Sequence, residues 1–119
     1  MLDMKMLEAL GVDTSAGLAC CADDPEFYEE MLAEYVKESE TNKVDLQRFF
    51  EARDLDNYRI KVHSIKSTSR MIGASALAEK AYSLELAGKE RDEAKIAEAH
   101  EPFLTDYSLF ADRLRELII

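Results

Sequence analysis

From Tyr28 to Leu117 the apolar residues recur at helical spacing, and no segment shows the strict alternation of a half-buried strand. The clearest seam is Ile96, Ala99, Phe103, Tyr107, Phe110, Leu114 and Leu117. Helices patterned in this way must bury one face against another element, so the fold class is all-α. Asp24-Pro25-Glu26 is a start signal: a capping side chain, then Pro at the first helical position, then an acid in the first turn. The helix it opens can run to Ala52 on Tyr28, Leu32, Tyr35, Leu46 and Phe49, and its polar interruptions at Ser39 and Asn42 allow a bend near Glu38 to Asn42.

Arg53-Asp54 closes that helix and caps the next, which runs to about Ile72 and ends at Gly73, a residue suited to a left-handed helix terminus. Ser75 is the expected cap of a further helix, with Leu77, Ala81 and Leu84 facing inward until Gly88 stops it. Pro102 inside the last seam predicts a kink or a break into two helices. Four such helices with short connections point to an up-down-up-down bundle. Ahead of them, Met1 to Leu10 reads as a short helix with Leu2, Met6 and Leu10 on one side, stopped by Gly11. Asp13 or Thr14 caps a second short helix through Leu18. Both pieces are lids. Residues 1–119 form one domain with a core at about 11–117, and residues 1–10 are a cap or a linker remnant.

Several function classes drop out on composition. At 119 residues, 47% hydrophobic and 34% charged, the chain is a single globular domain. No apolar run reaches the ~18 residues of a membrane span. A net charge of -10 argues against nucleic acid as a partner. Cys20 and Cys21 are adjacent with no second pair at metal-ligand spacing, and read as reduced thiols of a cytoplasmic protein. A di-iron bundle needs Glu-x-x-His pairs, and neither His63 nor His100 has Glu three residues before it, so no metal site is expected. There is no Gly-rich phosphate loop and no Ser-His-Asp candidate, so no ATP site, self-phosphorylation or cofactor is expected either.

Within this acidic chain, Asn57 to Ala78 contains no Asp or Glu, but holds Arg59, Lys61, Lys66 and Arg70. On a helix, Tyr58, Val62, Ile65, Ser69 and Ile72 fall within an arc roughly 80° wide, a core face. With His63 as origin, Arg70, Ser67 and Lys66 lie at roughly -20°, +40° and -60°, so the imidazole faces water beside a small hydroxyl and two cations. A surface histidine is usually unremarkable. The basic setting singles this one out, because it suits an imidazole that must hold an anion, and a neutral ring nitrogen is a competent nucleophile. His100 lies among Glu98, Glu101 and Pro102 without basic company and reads as a structural or surface residue.

His63-Ser64-Ile65-Lys66-Ser67-Thr68-Ser69-Arg70-Met71-Ile72-Gly73, followed by Leu77, Ala81, Leu84 and Glu85, resembles a histidine-containing phosphotransfer (HPt) domain from about Gly11 to Leu117. Family members often carry Gly where this chain has Ser67, a departure that keeps the position small. The resemblance implies a phosphorelay carrier of bacterial two-component signalling. His63 would accept a phosphoryl group from a receiver-domain aspartate and pass it to another receiver, with magnesium held by the receiver. Expected partners are response-regulator receiver domains and a hybrid histidine kinase, and the run from Ser67 to Ala74 and the His100-Glu101-Pro102 segment look most like C-terminal domains of multidomain bacterial proteins. Lys66 and Arg70 would compensate phosphoryl charge and steer encounter, and Ser67 leaves room and donates a hydrogen bond. Ile60 and Met71, at roughly +60° and +80° on the wheel, are the expected apolar docking shoulder. The bundle is complete in one chain, so a monomer is expected. Three alternatives stay open: a kinase dimerisation helix, a receiver-binding module that does not transfer, and a plain structural bundle.

Overall fold

The computed structural model describes residues 2–118. Six α-helices follow in order: α1 Met4–Ala9, α2 Thr14–Cys20, α3 Pro25–Glu51, α4 Leu55–Ile72, α5 Ser75–Lys89 and α6 Glu93–Ile118. The last four form the bundle. Its long dimension of 42 Å is about what a 26-residue α6 spans at ~1.5 Å per residue.

The caps explain most of the boundaries. Asp24 accepts from the backbone N–H groups of Glu26 and Phe27, with Pro25 at the first helical position. Asp54 accepts from Asn57 N–H and starts α4. Asp92 accepts from Lys95 N–H at 3.1 Å ahead of α6, and Asp13 accepts from Ala16 N–H to open α2. Gly73 ends α4 at φ 87°, and its carbonyl accepts from Asp13 N–H at 2.8 Å, which ties α2 to this end of the bundle.

Several expectations give way to the structure or are narrowed by it. The helix from Pro25 runs unbroken through its polar interruptions. Ser39 Oγ donates to the Val36 carbonyl at 2.6 Å and Asn42 Nδ2 to the Tyr107 hydroxyl at 3.2 Å, so both polar groups are satisfied within a continuous α3. Pro102 sits inside an unbroken α6: it removes one backbone donor, while Ile96 before it and Phe103 and Tyr107 after it stay packed in the core. Ser75 is the first residue of α5 and not its cap. Ala74 holds that position, with no side-chain bond and its own N–H donated to Ser69 O at 2.8 Å. Gly88 does not terminate α5, which continues to Lys89. A Cβ there would lie 3.1 Å from Arg59 Cβ, so this glycine serves close approach to α4. In α1 the face is also turned: Leu7 is fully buried and Met6 exposed, and Leu2, Met4 and Leu10 are partly buried against the core.

The core arc of α4 is buried throughout, at Tyr58, Val62, Ile65, Ser69 and Ile72. Tyrosine hydroxyls fasten it to its neighbours. Tyr28 donates to the Ile72 carbonyl at 2.8 Å, Tyr35 and Ser69 hydroxyls meet at 2.8 Å, and the Tyr58 hydroxyl meets His100 Nδ1 at 2.9 Å. The Tyr28–Ile72 and Tyr35–Ser69 pairs, with Lys61 on Asp45, run in opposite directions along α3 and α4, which makes the two antiparallel. α6 returns along α3 through Gln47 with His100, Asn42 with Tyr107 and Glu40 with Arg115. His100 is structural: it is 2% exposed and stacks on Phe50 with centroids 3.9 Å apart. Cys20 is exposed and Cys21 buried, both as free thiols.

Candidate functional site

His63 sits mid-way along α4 with 57% of its side chain exposed. Its ring is not free to turn. Nδ1 lies 2.6 Å from Glu85 Oε2, and the other oxygen of the same carboxylate, Oε1, accepts from Lys66 Nζ at 2.5 Å. α5 supplies Glu85 because it runs antiparallel to α4 along the side that carries Lys66. That packing also revises Lys66. At roughly -60° on the wheel it borders the solvent face, but α5 covers this border and leaves only 11% of the side chain exposed. The lysine is therefore a buried partner of Glu85 and not a cation standing in water beside His63.

Burial works to raise the pKa of Glu85, and the hydrogen bonds from Lys66 and His63, with their charges, outweigh it and hold the carboxyl below the usual range. Glu85 is thus an anion at neutral pH. A carboxylate at Nδ1 accepts a hydrogen bond from that nitrogen, which favours the tautomer in which Nε2 keeps its lone pair. The arrangement holds an oriented imidazole on an open surface.

The remaining expected residues lie around this triad. Ser67 and Arg70 are exposed on α4. Ile60 is 58% and Met71 37% exposed, so both shoulder residues reach solvent. Gly73 lies beyond them at the buried turn into α5. Arg70 has no carboxylate partner among the described residues; its guanidinium carbon lies 5.9 Å from the ring centroid of Tyr82 on α5, and Lys66 Nζ lies 5.2 Å from the same ring.

Glu85 and Tyr82 had no assigned role on sequence grounds. The signal for Glu85 was present. It falls one turn after Ala81 on the inward stripe of α5, and a carboxylate on an inward position demands a cationic partner. Nothing comparable marked Tyr82, whose importance comes only from which cations α4 lays against it. The cleft of about 480 Å³ between Phe49, Leu55, Tyr58 and Ile96 is lined by none of these site residues. Among the described residues no helix is long and apolar enough to cross a membrane.

A family model described as Hpt domain matches residues 30–118, which contain every residue of this site. No curated protein and no solved structure matches the chain.

Proposed function

This chain belongs to the Hpt domain family, whose work is histidine phosphotransfer in two-component phosphorelays, and we propose that it carries the phosphoryl group on Nε2 of His63 between receiver-domain aspartates. The observation that carries this reading is the 2.6 Å contact of Nδ1 with Glu85, which leaves Nε2 as the exposed nucleophile. The Nε2 lone pair attacks the phosphorus of an aspartyl phosphate. The P–N bond forms as the P–O bond breaks, and the aspartate carboxylate leaves with the electron pair. The ring keeps its Nδ1 proton and becomes an imidazolium, whose charge the Glu85 carboxylate offsets. Transfer to a second receiver aspartate is the same sequence reversed.

Phosphoryl transfer of this kind asks for position and charge compensation more than covalent machinery. Arg70, exposed and without a carboxylate partner, is the cation available to the phosphoryl oxygens, and Ser67 keeps the approach open and adds a hydroxyl donor. Lys66 acts through Glu85, by holding the carboxylate that holds the ring. Magnesium is assigned to the receiver. A receiver fits better than a small substrate, because small substrates are usually enclosed in clefts and His63 stands on an open helix surface. Ile60 and Met71 supply apolar contact beside it.

The test is incubation with receiver domains phosphorylated by acetyl phosphate, followed by mapping of acid-labile phosphate. Label on His63, lost in His63→Gln, is the expected result. Receiver binding without label would favour a module that docks and does not transfer.

A further inference from the structure

We propose that Tyr82 is a specificity-determining residue of this transfer: with Arg70 laid against its ring, it extends the docking surface from α4 onto α5, where it receives the partner that brings the phosphoryl group. The inference rests on the phosphocarrier reading. Single exposed apolar side chains are ordinary on protein surfaces. Tyr82 differs in its company. It is 43% exposed, it lies one turn before Glu85 on the same helix, and two cations of α4 approach its ring within the ~6 Å at which the attraction matters.

The two cations are not equivalent. Lys66 is buried and committed to Glu85 Oε1, so it fixes the ring's surroundings. Arg70 is exposed and has no carboxylate partner among the described residues; the Tyr82 face restrains its long side chain without neutralising it. A restrained guanidinium beside a rigid aromatic ring is the composition that concentrates binding energy in protein interfaces, since little rotamer freedom remains to be lost. The position agrees. On the wheel Ile60 and Met71 lie on the opposite side of His63 from Lys66, which faces α5, so with Tyr82 on α5 the nucleophile has an exposed apolar border on both flanks. The occupant is negative by the chemistry: whatever donates to His63 carries a phosphoryl group on a carboxylate.

The experiment measures phosphoryl transfer to His63 from a panel of acetyl phosphate-loaded receiver domains, in wild type, Tyr82→Phe, Tyr82→Leu, Arg70→Gln and the Tyr82→Leu/Arg70→Gln double variant. Tyr82→Leu is expected to raise KM for the best receiver about 5-fold, a loss that fewer than a third of interface residues reach, with a smaller change in kcat. Tyr82→Phe should restore most of the loss, because the ring and not the hydroxyl does the holding. The double variant should lose no more than the worse single one, as coupled residues do. If wild type takes label on His63 and Tyr82→Leu leaves KM unchanged, or the two losses simply add, the inference fails and the phosphocarrier reading stands. If wild type takes no label from any receiver, both fall together.

Discussion

Glu85 divides one carboxylate between two partners, and the division ties catalysis to stability at a single residue. Glu85→Gln retains the shape but removes the anion, so the imidazolium formed during transfer loses its counter-charge. A hydrogen bond to a charged group contributes about 1.5–3 kcal/mol, which as a barrier change is roughly 10- to 100-fold in rate. That slowing should appear in single-turnover transfer from a phosphorylated receiver. Glu85→Ala goes further, because it strands a largely buried ammonium at Lys66; breaking such a pair costs about 3–5 kcal/mol, to be read in urea unfolding. His63→Gln behaves oppositely. It abolishes acceptance while changing stability by only about 0.5 kcal/mol, as exposed positions do. Should His63→Gln unfold the domain, the histidine would be structural and the proposed chemistry would have no nucleophile.

Helices α4 and α5 meet at a turn that only one residue type fits. Gly73 has φ 87°, and a Cβ there would stand 2.2 Å from the Asp13 carbonyl oxygen, a backbone atom that cannot step aside alone. Gly73→Ala should therefore cost more than about 2 kcal/mol, the left-handed penalty plus the lost seating of α2. The sequence pattern identified this turn, the core arc of α4 and the exposed imidazole, because each depends on local chemistry and on 3.6-residue periodicity. It misjudged Lys66, Gly88 and Met6, because a wheel cannot say which border of a helix a neighbour will cover. At Pro102, where a kink or a break was expected, packing on both sides excludes the break and keeps α6 whole. At the other end of the bundle, α3, α4 and α6 converge on His100, which bonds Tyr58 and Gln47 through its two ring nitrogens. Burial holds its pKa below the ordinary histidine value, so the unfolded chain binds the proton more readily. Stability should accordingly fall as pH drops below about 6.5, while the unfolded histidine charges and the folded one resists. Glu85 adds a second loss at lower pH: its folded pKa is depressed, so its contribution, present above about pH 4.3, disappears as pH falls through the folded value. Urea midpoints across pH 3–8 should show both limbs, and His100→Phe should flatten the upper one.

The molecule as a whole carries a net charge of -10, and the island at His63 is the place where that sign is locally reversed. The four long helices bury their seams against one another within one chain, which with the like charge between copies favours a monomer; sedimentation showing a tight dimer would revive the kinase-dimerisation alternative. Steering is expected from the same charge map, through the exposed one of the two cations, Lys66 and Arg70, that the sequence pattern named. Lys66 is neutralised by Glu85 and buried, so Lys66→Glu would set two carboxylates against each other and report on folding. Arg70 is the exposed cation beside the nucleophile, and the association rate of Arg70→Glu tests encounter. At ~0.01 M salt the screening length is about 30 Å, comparable to the 42 Å length of the molecule, so the global negative charge and the local positive patch both reach an approaching partner. At ~0.15 M it shrinks to about 8 Å and only the patch acts, at close range. The global term is nearly the same in wild type and variant, so the ratio of their association rates with one receiver isolates the patch. Stopped-flow rates should favour wild type most strongly at low salt, with the ratio falling toward one as salt rises. A ratio of one at every ionic strength would remove Arg70 from the encounter and leave the apolar shoulders to form the complex unaided.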